Sequence, residues 1–249
     1  MLLYQSICYL QNHKTGSTFV DAFLLKHCKE PLRPYQRHSV VITHEPKVFY
    51  FTNVREPVAL YRSLYAYGVD GRGEVYERLC AHGRADLYAA TPDGFTRWLT
   101  FILAPQNAPY LHPAYTPALA SMLGFMSWRF LRLACLHFEK NALSISSGAQ
   151  LATLIRTTYF MSTVLRQETL RADLAALVTY QLKHAIRDVP AALAWITHTA
   201  NVNTSSASER PTSDFDTAAT RELIAAREVF LYETFYNTPS NETVTTTEP

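Results

Sequence analysis

Residues 2–24 constrain the fold of this chain more tightly than any other stretch. An apolar run, Leu2 to Leu10, ends in the polar turn Gln11-Asn12-His13-Lys14-Thr15-Gly16-Ser17-Thr18. An apolar-periodic segment follows, with Phe19, Val20, Phe23 and Leu24 on one side. Run, turn and periodic segment predict strand, loop and helix. The first amides of a helix have no intrahelical partner, and the dipole is positive there, so a loop of this kind accepts a phosphate or sulfate. Gly16 permits close backbone approach, Thr15, Ser17 and Thr18 offer hydroxyls, and Lys14 offers mobile positive charge. Thr18 and Asp21 have the spacing of a capping box with Asp in place of Glu. The loop is not a Walker loop, G-x-x-x-x-G-K-[ST], because Lys14 precedes the glycine and no glycine stands upstream.

A second junction follows the same plan. Residues 48–54 form an apolar, β-branched and aromatic run suited to a strand buried on both faces. Pro57 fits the first turn of a helix whose apolar face carries Val58, Tyr61 and Tyr65. Arg55 therefore stands at the carboxyl end of a strand, where open α/β sheets bind ligands. Ser63 lies about two helical turns on, so a planar Arg fork and a hydroxyl can grip one phosphate together.

His13-Lys14-Thr15-Gly16-Ser17-Thr18 resembles the 5′-phosphosulfate loop of the sulfotransferases, in the carbohydrate-type branch where His stands before the Lys. Arg55-Glu56-Pro57 with Ser63 resembles their 3′-phosphate site. The resemblance implies a single α/β domain over residues 1–236, a three-layer sandwich with a central parallel sheet, built like the P-loop nucleotide-binding proteins. It implies 3′-phosphoadenylyl sulfate as donor, no metal, and transfer of the sulfuryl group to an acceptor hydroxyl of a carbohydrate. His13, Lys14, Thr15, Gly16, Ser17, Thr18, Arg55 and Ser63 would then contact the donor, with Lys14 also catalytic. In the family a late loop adds basic contacts to the 3′-phosphate; here the polar stretch 199–216 carries only Arg210 for that role.

The acceptor hydroxyl needs a general base, and His38, His44 and Glu45 fall between the two motifs. Ser39 to Thr43 reads as a short strand, which places His44 at its carboxyl end and makes it the preferred base. Two alternatives remain: a P-loop-type small-molecule or nucleotide kinase, and a non-catalytic nucleotide-binding protein of the same fold. The loop order and the lack of a clear Asp for Mg²⁺ count against the kinase.

Composition sets the remaining bounds. With 249 residues, 48% hydrophobic and 18% charged, the chain has the makings of one large packed α/β domain. A net charge of +2 carries no polyanion-binding signature, which argues against a nucleic acid partner. Cys8, Cys28, Cys80 and Cys135 are scattered without C-x-x-C spacing, and the nine histidines form no metal-ligand motif. No basic leader is visible and no run reaches the ~20 apolar residues of a membrane helix, so a soluble, cytoplasmic protein without a membrane partner is expected. Oligomeric state is not legible.

Further along, Thr91 and Pro92 start a helix carrying Phe95, Trp98, Leu99 and Ile102. Pro105, Pro109, Pro113 and Pro117 punctuate an aromatic loop, read equally as an acceptor-binding lid or a surface crossover. Residues 118–137 predict one helix and 149–157 another, 160–165 a strand, and a helix capped by Asp216 runs through Phe235. The Thr-rich tail 237–249 is expected to be disordered.

Overall fold

The computed structural model describes residues 1–34, 38–89, 91–200 and 217–236. It is a mixed α/β structure around a four-stranded, mostly parallel open sheet. The strands, β1 (Leu2–Leu3), β2 (Ile7–Leu10), β3 (Phe49–Val54) and β4 (Thr163–Arg166), lie side by side in chain order. β1 is antiparallel to β2, whereas β2, β3 and β4 are parallel, with Ile7 opposite Phe49 and Phe51 opposite Thr163. The expected strand over 160–165 thus starts at Thr163, with Phe160 set edge-on to Tyr50 just before it.

The helices in chain order are α1 (Ser17–His27), α2 (Pro57–Val69), α3 (Glu74–Ala81), α4 (Pro92–Leu103), α5 (Ala108–Leu111), α6 (Pro117–Met122) and α7 (Phe125–Ala134). They continue with α8 (Phe138–Ala142), α9 (Gly148–Thr158), α10 (Leu170–Leu177), α11 (Val189–His198), α12 (Ala218–Arg227) and α13 (Val229–Leu231). Strand alternation explains the layering, since successive side chains leave opposite faces. Ile7, Tyr9, Phe51 and Leu165 share a core with Phe19, Val20 and Phe23 of α1 and Leu174 of α10. Cys8, Leu10 and Tyr50 face the other way and meet Leu133 of α7. Each such fully buried side chain contributes about 1.5–3 kcal/mol, enough to fix which strand ends lie together. No helix among the described residues is long and apolar enough to cross a membrane.

Four expected elements differ. The described residues of 38–48 contain no strand, so Ser39 to Thr43 is irregular. The helix expected over 118–137 is split into α6 and α7 at Leu123 and Gly124. The cause is Glu228, whose carboxylate accepts from the amides of Met126 (3.0 Å) and Ser127 (2.9 Å) and so caps α7 from a distant part of the chain. A Cβ at Gly124 would collide with that carboxylate. Third, the proline-rich stretch is no lid: Leu111 and Tyr115 are core residues, and the Tyr115 hydroxyl donates to the Leu123 carbonyl at 2.7 Å. Fourth, the last helix starts with Thr217 as its cap and breaks at Glu228, passing into a π-helical turn over Tyr232–Tyr236. Arg210, Asp216 and the tail 237–249 lie outside the described residues.

Candidate functional site

The site is built where β2 and β3 end. Thr52 ties the two strands by donating to the Leu10 carbonyl at 2.7 Å. Asn12 Nδ2 donates to the Asn53 carbonyl (3.0 Å), and Asn53 Nδ2 donates back to the Thr15 carbonyl (3.2 Å). Both asparagines are buried, so the loop is clamped to the end of β3 by side chains that its own sequence supplies.

Within the loop, Lys14 (φ 62°) and Gly16 (φ 84°) are both in the left-handed region. Alternating handedness turns successive amides toward one point, the geometry of an anion-binding nest. Among the described residues, the amides of Lys14, Thr15, Gly16 and Ser17 have no hydrogen-bond acceptor. Four consecutive unpaired donors are unusual, because backbone N–H groups are otherwise nearly always satisfied. Gly16 also caps α1, whose first residue is Ser17. The capping box expected from Thr18 and Asp21 does not cap α1: the cap position is Gly16, and the Asp21 carboxylate turns inward to accept from Gln11 Nε2 at 2.7 Å. The Thr15 hydroxyl is likewise turned inward, donating to the Asn12 carbonyl at 3.0 Å, so Thr15 presents its amide and not its side chain.

Arg55 extends from the end of β3 and donates through Nη1 to the Lys14 carbonyl at 3.3 Å. Its Nε is buried without a hydrogen-bond partner among the described residues. Lys14 rests its ammonium on the Tyr67 ring, 4.1 Å from the centroid, and Arg72 covers the same ring at 4.7 Å. Neither Lys14 nor Arg55 forms an ion pair among the described residues. Burial lowers the Lys14 pKa below the ordinary lysine value, and Arg55 and Arg72 push it further the same way against Asp70. Burial also lowers Arg55, with Glu168 and Glu56 opposing. Ser63 stands half-buried on α2, one turn before Tyr67 and so on the same helix face as the ring that carries Lys14.

Two carboxylates shape the far side of Arg55. Glu168 accepts from the Glu56 amide (2.8 Å) and from the Tyr236 hydroxyl (3.2 Å), and Glu56 accepts from the Tyr232 hydroxyl (2.6 Å). The π-helical turn at the end of the described chain thus bridges the ends of β3 and β4. Glu56 also caps α2 by accepting from the Ala59 amide at 2.7 Å.

The expected histidines divide. His44 packs on Tyr50 (5.1 Å) and Phe160 (5.7 Å), toward the amino ends of β3 and β4 and away from Lys14 and Arg55. Glu45 beside it is paired with Arg33 at 2.7 Å. Without a strand over Ser39–Thr43, nothing carries His44 to the carboxyl edge. His38 is the one brought to the loop: its ring stacks on His13 with centroids 3.7 Å apart. His38 Nδ1 lies 3.0 Å from the Gln11 carbonyl. A carbonyl only accepts, so Nδ1 carries the proton and Nε2 the lone pair. His13 is held neutral by burial and by Arg129, His38, Arg132 and Lys14 around it.

Nothing local in the sequence marks Tyr67 and Arg72. The pair becomes visible only when α2 ends at Val69 and the turn through Gly71 and Gly73, both at positive φ, brings Arg72 back. Comparisons with protein-family models, curated proteins and solved structures find no match to this chain. Among the described residues no three His, Cys, Asp or Glu side chains are grouped to hold a metal ion.

Proposed function

We propose that this protein is a sulfotransferase that moves the sulfuryl group of 3′-phosphoadenylyl sulfate to an acceptor hydroxyl, with a carbohydrate as acceptor. One observation carries the reading: four unpaired amides of the Lys14–Ser17 loop stand beside two cations, Lys14 and Arg55, that lack ion-pair partners among the described residues. Such a cluster is unfavourable when empty and favourable when an anion fills it. The 5′-phosphosulfate would lie on the loop amides, with Arg55 and Ser63 on the 3′-phosphate. The carbohydrate class rests on the His13-Lys14 order alone.

In the transfer, the acceptor oxygen forms a bond to sulfur as the bond from sulfur to the 5′-phosphate oxygen breaks, releasing adenosine 3′,5′-diphosphate. Charge grows on the departing phosphate, where Lys14 and the loop amides stabilise it more strongly than in the ground state. His38, with Nδ1 anchored on Gln11, takes the acceptor proton at Nε2. Incubation with donor labelled in sulfur and a panel of glycans tests the reaction: label on a glycan, retained in EDTA, is expected. Transfer of phosphate from ATP, lost in EDTA and restored by Mg²⁺, would instead identify the kinase.

A further inference from the structure

Arg129, on α7, is a charged side chain with no hydrogen bond among the described residues. It is only 6% exposed, yet it donates to no described residue. Glu74 Oε2 forms an ion pair with its Nη2 at 3.8 Å, beyond hydrogen-bond length, while Glu74 Oε1 accepts from Arg78 Nε at 3.1 Å, and the guanidinium lies over the Phe125 ring at 5.4 Å. The neighbouring Arg132 is bonded through Nε to Glu139. A buried guanidinium is normally hydrogen-bonded on several sides, so one held by an ion pair alone keeps donors that a ligand can take.

The helix direction shows where those donors lie. α7 ends toward the amino edge of the sheet, since Leu136 donates to the Thr158 carbonyl and Phe160 to the Ala134 carbonyl ahead of β4. Leu133 packs on Cys8 and Leu10 of β2. Arg129 is one turn earlier on the same face, and so stands over the turn that follows Leu10, next to His13. The charges around His13 agree: Arg129, Arg132 and Lys14 all act on it. Lys14 and Arg129 thus both lie near His13, and Lys14 is assigned above to the donor.

We infer that Arg129 forms a second anion subsite, which takes an acidic group carried by the acceptor saccharide. This rests on the sulfotransferase reading for the word acceptor; the subsite itself rests on Arg129. A guanidinium fork binds a carboxylate or a sulfate in two parallel hydrogen bonds. An acid held there fixes the sugar on the His13–His38 side of the loop, with its hydroxyls toward Lys14.

Calorimetric titration of cellobiose, cellobiouronic acid and cellobiose 6′-sulfate, with and without saturating adenosine 3′,5′-diphosphate, tests it. A bonded charged pair is worth about 1.5–3 kcal/mol, so wild type should favour an acidic disaccharide over cellobiose roughly ten- to hundredfold. The tighter of the two acids identifies carboxylate or sulfate as the group recognised. Arg129→Gln should erase the preference, and Arg129→Lys should keep only part of it, both with unchanged nucleotide affinity. Equal binding of all three sugars, no binding of either acid, or a preference that survives in Arg129→Gln overturns the subsite. If Arg129→Gln does not fold, an undiminished preference in Arg129→Lys overturns it. A nucleotide that does not bind, alongside an Arg129-dependent acid preference, removes the donor reading and leaves the subsite standing.

Discussion

Gly16→Ala is the sharpest single perturbation of the loop, because two costs at this position can be separated. The first is conformational: φ is +84°, and an L-residue in the left-handed region costs about 1–2 kcal/mol. The second is steric: a Cβ would lie 2.9 Å from Leu170 Cδ2 and 3.4 Å from Gln167 Cγ, a crowding worth about 1 kcal/mol since both are side-chain atoms able to yield. Gly83 supplies the control, with φ +69° and nothing within 4 Å of an added Cβ, so Gly83→Ala carries the first cost alone. Urea unfolding should show about 1–2 kcal/mol lost in Gly83→Ala and about 2–3 in Gly16→Ala. Relaxation of the loop also tilts the amides away from their common point. Adenosine 3′,5′-diphosphate should then bind Gly16→Ala at least about tenfold more weakly, at 1.5 kcal/mol or more per lost charged hydrogen bond, and bind Gly83→Ala as wild type. Equal stability losses in the two variants would refute the packing of Gly16 on Leu170. Unchanged nucleotide binding in Gly16→Ala would refute the nest.

Three further outcomes follow from the same contacts. Lys14 binds an anion only as the ammonium, and its pKa in the free protein is depressed by burial, so nucleotide affinity should be full below that pKa and fall as pH rises through it, starting below the ordinary lysine range; titrations across pH 7–10 should show the loss moved upward in Lys14→Arg and absent in Lys14→Ala. His38→Ala should flatten the acidic limb of the pH–rate profile while His44→Ala leaves it intact; the reverse result would return the base to His44. Glu228→Ala strands the Tyr61 hydroxyl, the Met126 and Ser127 amides and the Ser127 hydroxyl, and should cost about 3 kcal/mol or more in urea unfolding, a small change being evidence against the cap on α7.

Both strand-to-helix junctions were legible in the sequence because each is local: an apolar run, a turn and a helix start within about twenty residues. Arg55 at a strand end and Pro57 in the first turn of α2 fall where the pattern puts them. What the sequence hid depends on distant partners. The irregular path of residues 38–48 is set by Gln11 holding His38 and by the Glu45 amide donating to the Tyr50 hydroxyl at 3.0 Å, neither visible in a short window. The α6–α7 break needs Glu228, over a hundred residues away. Thr15 reads as an anion ligand by its hydroxyl, but burial redirects that hydroxyl to Asn12 and leaves only the amide. Arg129 falls within the helix expected over 118–137, and only the fold shows it buried.

The central claim is that the Lys14 loop and Arg55 hold the two phosphate ends of one nucleotide. Calorimetric titration of adenosine 3′,5′-diphosphate and adenosine 5′-phosphate into wild type and Arg55→Ala tests it most directly. The account predicts that wild type binds the 3′-phosphorylated nucleotide roughly ten- to hundredfold more tightly, from one strong charged contact of about 1.5–3 kcal/mol. It predicts that Arg55→Ala loses most of that preference while binding adenosine 5′-phosphate as before. Wild-type protein that does not distinguish the two nucleotides, or a preference untouched in Arg55→Ala, would contradict it.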